Sequence, residues 1–222
     1  MACCQLARFV AEFGFRLAPC KLMVPGYDFR IIYELPSIID RLDLARLFSS
    51  SQPLEVELGS GDGSFLVNRA KVVPSRNFIG VERLLGRLRK MERKAKRAGL
   101  ANLRAVRIES SYFLQHLLPL QSLTALHIYF PDPWPKRKHW RHRLINPTFP
   151  SSAARALVSG GTVFLRTDDA AYFSQMREVF SASTEFKSVE APPELSELLT
   201  DFEREFHAQG TPTLRAAYQK AS

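Results

Sequence analysis

Five times between residues 54 and 180, a short apolar run of strand length is followed by a stretch with helical spacing. Residues 54–58, 77–82, 103–108, 125–130 and 162–167 read as strands, and 64–72, 84–98, 112–118, 151–158 and 170–180 as the helices that follow them. Such alternation leads to a mostly parallel sheet with helices on both faces, because each strand needs a crossover before the next can run beside it in the same direction. Two more runs, 186–189 and 214–218, complete the sheet as an antiparallel pair, which makes seven strands. Ahead of the first strand, Ile38, Ile39, Leu42, Leu44 and Leu47 suggest a helix over 36–48, closed by Ser49-Ser50-Ser51-Gln52-Pro53. Within 84–98, Leu84, Leu88, Met91 and Ala95 fall on one face and should pack on the sheet, leaving the Lys and Arg residues outward.

The 222 residues, 45% of them hydrophobic, suffice for one large domain with a real core. No run approaches the roughly 18 apolar residues needed to cross a membrane, so no membrane association is expected. Residues 1–22 form an extension to a single domain over 23–222. Leu6, Phe9, Val10, Phe13 and Leu17 give that extension an amphipathic helical spacing, while Glu12 and Arg16 interrupt the apolar core that a signal peptide needs. A start assigned too early, with Met23 the first residue, is the other reading. Cys3, Cys4 and Cys20 all precede Met23 and show no ligand spacing, so neither a disulfide framework nor a metal centre is expected, and a reducing cytoplasmic setting fits.

The formal charge of +9 is concentrated. Residues 83–97 hold eight Lys or Arg against Glu92, and residues 136–143 hold five with no acid, so the rest of the chain is slightly acidic. Two such patches favour a polyanion held in a defined position over a generally adhesive surface. Arg87, Lys90 and Lys94 in the first patch, and Arg137, Lys138, Arg141 and Arg143 in the second, are candidates for phosphate contacts, which set affinity and salt dependence rather than base choice.

Between the patches, the strand 125–130 stops at Pro131-Asp132-Pro133-Trp134-Pro135. Proline cannot donate to a sheet ladder, so the chain must turn out of the sheet, carrying one carboxylate, Asp132, at the strand tip. Trp134 packing under this turn is the expected arrangement; Trp140 is open between stacking on a base and simple exposure, and His139 and His142 read as phosphate neighbours. At the first strand, Glu57-Leu58-Gly59-Ser60-Gly61-Asp62-Gly63 makes a glycine-rich turn into a helix, and Glu82 ends the second strand, where a carboxylate is placed to accept both hydroxyls of a ribose. Glu57 and Asp62 argue against a pyrophosphate at that helix start, since both add negative potential. A cationic cofactor such as S-adenosylmethionine suits the turn better; Glu109, at the third strand end, is open between holding its adenine amino group and simple exposure.

These residues resemble a known family. Glu57-x-Gly59-x-Gly61-x-Gly63, Phe130-Pro131-Asp132-Pro133-Trp134 with Lys136, Lys138, His139, Arg141 and Arg143, Thr167-Asp168, and Thr200-x-Phe202-Glu203-Arg204 with Gly210 are similar to the bacterial TrmB-type tRNA (guanine-N7)-methyltransferases, over residues 28–220. The resemblance implies a Rossmann-like class I S-adenosylmethionine-dependent methyltransferase fold, α/β with helices on both faces. It also implies transfer of a methyl group to N7 of a variable-loop guanosine in tRNA. Monomer and homodimer both stay open, and no protein partner is expected to be required. By the same resemblance Glu57, Gly59, Gly61, Gly63, Glu82, Glu109 and Asp132 line the cofactor pocket, with Asp132 at the reaction centre. Lys136, Asp168, Thr200, Asp201, Phe202 and Glu203 contact the substrate. The chain departs at Glu109, where Asp is frequent, and at His142, where Arg is usual.

Guanine N7 carries a free in-plane lone pair, so alignment rather than a base is what the reaction requires. Three other readings compete. An amino-group methyltransferase would want a second proline before the aromatic at the strand tip, which Asp132-Pro133-Trp134 lacks. A non-catalytic RNA-binding module would not need Glu57, the glycines and Asp132 together. A nicotinamide dehydrogenase fails on the charge of the glycine turn.

Overall fold

The computed structural model describes residues 30–221; the expected N-terminal helix and the Met23 start lie outside them. One eight-stranded sheet runs through the molecule in the order β1-β4-β3-β2-β5-β6-β8-β7. Its strands are β1 (Ile32–Tyr33), β2 (Leu54–Leu58), β3 (Asn77–Val81), β4 (Leu103–Val106), β5 (Leu123–Tyr129), β6 (Leu157–Thr167), β7 (Phe186–Val189) and β8 (Leu214–Lys220). All neighbours pair in parallel except β8, which runs antiparallel to both β6 and β7. The eighth strand, absent from the sequence expectation, is β1, a two-residue edge strand beside β4. The order reverses between β2 and β5, so their C-terminal ends diverge into a crevice, the usual ligand position in an open α/β sheet. Every residue of β2 and β3 is buried, as expected for central parallel strands covered on both faces.

The helices are α1 (Leu44–Leu47), α2 (Ser64–Val72), α3 (Leu85–Ala98), α4 (Ser110–Tyr112), α5 (Phe149–Ala156), α6 (Ala170–Ser181), α7 (Pro193–Glu197) and α8 (Asp201–Ala208). A single π turn, Phe113–Leu117, prolongs α4. The helix expected over 36–48 shrinks to α1. Ser37 Oγ accepts from the Ile39 and Asp40 amides, and Asp43, accepting from the Ala45 amide, caps a new start at Leu44, so side-chain bonds to the backbone replace the helical ones. Ile38 and Ile39 are left exposed. The helix expected over 151–158 starts two residues earlier and ends at Ala156, because Leu157 already pairs with Leu123. In α3, Leu88, Met91 and Ala95 are fully buried as the spacing requires, but Leu84 stands outside the helix as its N-cap and is 55% exposed.

Candidate active site

The glycine turn between β2 and α2 is fixed by backbone geometry. Gly59, Gly61 and Gly63 all have positive φ (76°, 56° and 75°), a region that L-residues with a side chain rarely enter. The Gly59 and Ser60 amides both donate to the Val81 carbonyl at 2.9 Å, which ties the turn to the end of β3. At Gly63 a methyl group would lie 2.4 Å from Met91 Cγ, so that glycine is needed for packing of α2 against α3 as well as for its dihedral. Asp62 bonds Lys94 at 2.7 Å and the Ser64 amide at 3.2 Å. Burial raises its pKa, but the Lys94 ammonium and the Ser64 amide outweigh that and hold it below the usual carboxylate range.

Two adjoining cavities, of about 460 and 680 Å³, open over the ends of β2, β3 and β5 and share Gly59, Arg87, Tyr129, Phe130, Pro131 and Asp132. The smaller is walled by Glu82 and Glu109; the larger holds Glu57, Gly61, Asp168, Thr200, Asp201 and Phe202. Asp132 thus stands where the two halves meet. Glu82 Oε1 accepts from the Leu84 amide at 2.8 Å, and its other oxygen is 3.6 Å from Arg87. Glu109 turns both oxygens to the Ser111 and Tyr112 amides, at 3.0 and 2.7 Å, as the N-cap of α4. Glu57 is buried, and its Oε2 has no hydrogen-bond partner among the described residues. Burial pushes its carboxyl well above the ordinary range, Arg166 pulls it back, and Asp62 and Glu82 push it up further. A buried carboxylate oxygen without a partner, at the wall of a cavity, suits a cationic N–H donor of a ligand.

The Asp132 turn is strained and braced. Phe130 and Trp134 adopt φ of 51° and 45°, so a left-handed residue stands on each side of Pro131-Asp132-Pro133. The brace is Arg143, which the charge pattern assigned to phosphate. It is buried, donates from Nε to the Pro133 carbonyl at 2.6 Å, bonds Gln175, and lies over the Trp140 and Tyr172 rings. Trp134 is not sealed beneath the turn as expected: it is partly exposed on the wall of the smaller cavity and leans on His139 and His142. Trp140 is partly exposed, between Arg137 and Arg143. Arg137, Lys138 and Arg141, on a 3-10 turn (Arg137–His142), and Lys136 just ahead of it are exposed at the rim and do not line either cavity.

The opposite wall comes from the end of β6 and from α8. Asp168 and Phe202 are exposed to the larger cavity, and Phe202 and Phe206 pack with Phe130. Thr200 and Glu203 form a reciprocal capping box at the start of α8. Glu203 is fully buried, 2.7 Å from Arg166 and 3.1 Å from Arg215, so it fastens α8 to the sheet and has no face for substrate. Burial raises its pKa, but the Thr200 amide, Arg166 and Arg215 outweigh that and lower it. Arg166 was not singled out by the sequence, yet it joins both walls. It donates to the Leu195 and Leu198 carbonyls and to Glu203, and it lies 4.1 Å over the Tyr129 ring. Behind Tyr129 runs a second unforeseen network: Tyr129 Oη meets His127 Nδ1 at 2.8 Å, and His127 Nε2 meets Glu55 at 3.0 Å. Glu55 also binds Arg69 and Arg76; despite burial, His127 and Arg69 hold it at about 2. Burial, outweighing the opposing pull of the Glu55 carboxylate, lowers the pKa of His127. The only sequence signal for these networks is a charged or polar residue inside an apolar strand.

Comparison with known proteins bears on this geometry. The family described as "Putative methyltransferase" matches residues 51–216. The chain is 35% identical to the tRNA (guanine-N(7)-)-methyltransferase of Aeromonas hydrophila, over 76% of this chain and 73% of that protein. It is 37% identical to the enzyme of the same name from Halorhodospira halophila (68% and 65%) and 40% to that of Paenarthrobacter aurescens (66% and 49%). The chain thus spans less than two thirds of the length of the latter two relatives. Among solved structures, the 16S rRNA methyltransferase KamB shares the fold with a TM-score of 0.59 at 17% identity, over 81% of this chain and 93% of that one. With a family match over most of its length and a relative covered over most of its own, the chain belongs to the tRNA (guanine-N(7)-)-methyltransferase family.

Proposed function

We propose that the protein transfers a methyl group from S-adenosylmethionine to N7 of a guanosine in tRNA, acting in the cytoplasm. The observation that carries this reading is the position of Asp132, at the meeting of a cavity walled by Glu82 and Glu109 with one that holds Glu57, Asp168 and Phe202. The names of the curated relatives support the substrate.

The donor set fits the cofactor. Glu57, whose Oε2 has no hydrogen-bond partner among the described residues, would take its amino group, and Glu82 its ribose hydroxyls, beside the glycine turn. When bound, S-adenosylmethionine supplies a methyl group activated by a sulfonium. The protein's part is positioning and charge. Asp132 and Asp168 accept from the N1–H and amino group of guanine, a pattern that carboxylates match because they only accept. Methylation leaves positive charge on the ring, so an adjacent carboxylate stabilises the transition state more than the ground state. Phe202, with Phe130 behind it, offers a flat apolar face to a base withdrawn from the RNA stack. No proton need be removed before attack, because N7 carries none.

Transfer of labelled methyl to unmodified tRNA, followed by nucleoside analysis, tests the reading. The wild type should form 7-methylguanosine, and Asp132→Ala should lose roughly 100-fold or more in kcat while still binding the cofactor. Methylation of adenine amino groups, or an unchanged rate in the variant, would refute it.

A further inference from the structure

A third cavity, of about 400 Å³, lies on the far side of Asp201 from the reaction centre, between α2, the C-terminal half of α3 and the start of α8. Ser64 and Asp201 line both it and the larger cavity, so the two adjoin, parted by the Asp201 amide's bond to Ser64 Oγ at 3.2 Å. Lys94 stands at the junction, 2.7 Å from Asp62 and 3.5 Å from Asp201. Beyond it, Lys71, Arg97 and Arg204 line the groove, with Asn68 as a neutral donor. The single acid there, Asp201, is engaged by Arg204 and Lys94. Lys71 and Arg97 are exposed and make no ion pair among the described residues.

We infer that this groove binds a backbone phosphate of the RNA strand on one side of the target nucleoside, while the Lys136–His142 rim serves the strand on the other side. The inference rests on the proposed RNA substrate. A nucleotide with its base at Asp132 must continue as a polyanion in both directions. On the α8 side the strand leaves the larger cavity past Lys94, into a concave surface with four cations and one carboxylate. The stripe is continuous: Lys90 lines the reaction cavity, Lys94 the junction and Arg97 the groove, one helical face about 10 Å long at 1.5 Å per residue. Excess positive charge makes the groove unfit for a cation, and its lack of aromatic lining makes it unfit for a base. Unpaired cations with neutral donors in a recess suit phosphodiester oxygens.

The test is equilibrium binding of unmodified tRNA across a salt series, with methylation kinetics beside it. It compares wild type, the pair Lys71→Gln and Arg97→Gln, and a control pair, Arg177→Gln and Lys187→Gln, on exposed positions of α6 and β7. The groove pair should raise Kd and KM for tRNA roughly tenfold, with the loss in KM rather than kcat, and should reduce the slope of log K against log salt by about 0.7–0.9, the share of one phosphate. Affinity for S-adenosylmethionine and the Tm should stay at wild-type values. An unchanged slope in the groove pair, or an equal change in the control pair, overturns the inference. If wild type binds tRNA but does not methylate it, the proposed reaction fails, and the salt slopes still decide the groove.

Discussion

Replacing Gly63 with Ala tests how the cofactor turn is locked to the core. The new methyl adds two separable costs. First, φ of 75° is left-handed, which costs an L-residue roughly 1–2 kcal/mol. Second, the methyl would meet Met91 at 2.4 Å from Cγ and 2.9 Å from Cβ. Rotating the Met91 side chain moves Cγ but leaves Cβ in place, so α3 itself must shift, an overpacking cost of about 1–3 kcal/mol. The sum, about 2–5 kcal/mol, should lower the Tm by roughly 5–15 °C in a chain of this size. Gly61 supplies the control, since its φ is also positive but a methyl there meets nothing within 4 Å. Gly61→Ala should therefore show only the dihedral cost. Urea unfolding followed by far-ultraviolet circular dichroism would measure both. Adding Met91→Ala, which removes Cγ but keeps Cβ at 2.9 Å, should recover only part of that packing cost, about 1 kcal/mol, as a favourable coupling. Equal costs at the two glycines, or no coupling with Met91, would refute the packing argument.

The buried state of Glu57 implies that a cationic ligand binds with release of a proton. Calorimetry of S-adenosylmethionine binding in buffers of different ionisation heat should detect that release. Affinity should rise with pH until Glu57 is ionised in the free protein, whereas Glu57→Gln should bind about 10–100-fold more weakly without proton release, the cost of losing one charged hydrogen bond. Arg143→Lys should lower kcat several-fold with little change in cofactor affinity, since an ammonium cannot both donate to the Pro133 carbonyl and stack between Trp140 and Tyr172; wild-type kcat in steady-state assays would refute its bracing role. Glu203→Gln leaves Arg166 without its buried partner and should cost about 3–5 kcal/mol at neutral pH by urea unfolding. Because the folded-state pKa of Glu203 is lowered, the wild type's advantage is complete above its unfolded pKa, and it should shrink as pH falls through the folded value.

What the sequence disclosed and what it withheld divide along a physical line. The turn at Gly59 to Gly63 and the strand end at Asp132 were legible because their constraints are local: positive φ demands glycine, and prolines end a ladder. Most of β2 to β6 followed from periodicity for the same reason. The helix over 36–48 failed because the spacing of Ile38 and Ile39 says nothing of Ser37 and Asp43, whose side chains bond the backbone out of a helix there. Arg143 looked like its neighbours Arg141 and Lys138 because charge alone does not show that the Pro133 carbonyl and two aromatic rings enclose it. Glu203 misled in the same way. Its partners Arg166 and Arg215 are distant in sequence and adjacent only after β6 and β8 pair.

The dependence of Arg166 on late-sequence partners gives the protein an order of assembly during synthesis. The amide of Phe130, at the strained edge of the Asp132 turn, donates to the Arg166 carbonyl at 2.8 Å. The Arg166 side chain in turn is held by Leu195, Leu198 and Glu203, and Glu203 by Arg215. A nascent chain that has emerged only through β5 has the residues of the glycine turn and the acid at its floor, but not the wall that α8 contributes. The wall that α8 contributes is finished only when β8, the last strand in sequence, has joined the sheet. A chain cut short in its final quarter therefore lacks Glu203 and Arg215, and with them the partners that tie the Arg166 end of β6 to the wall beside Asp132.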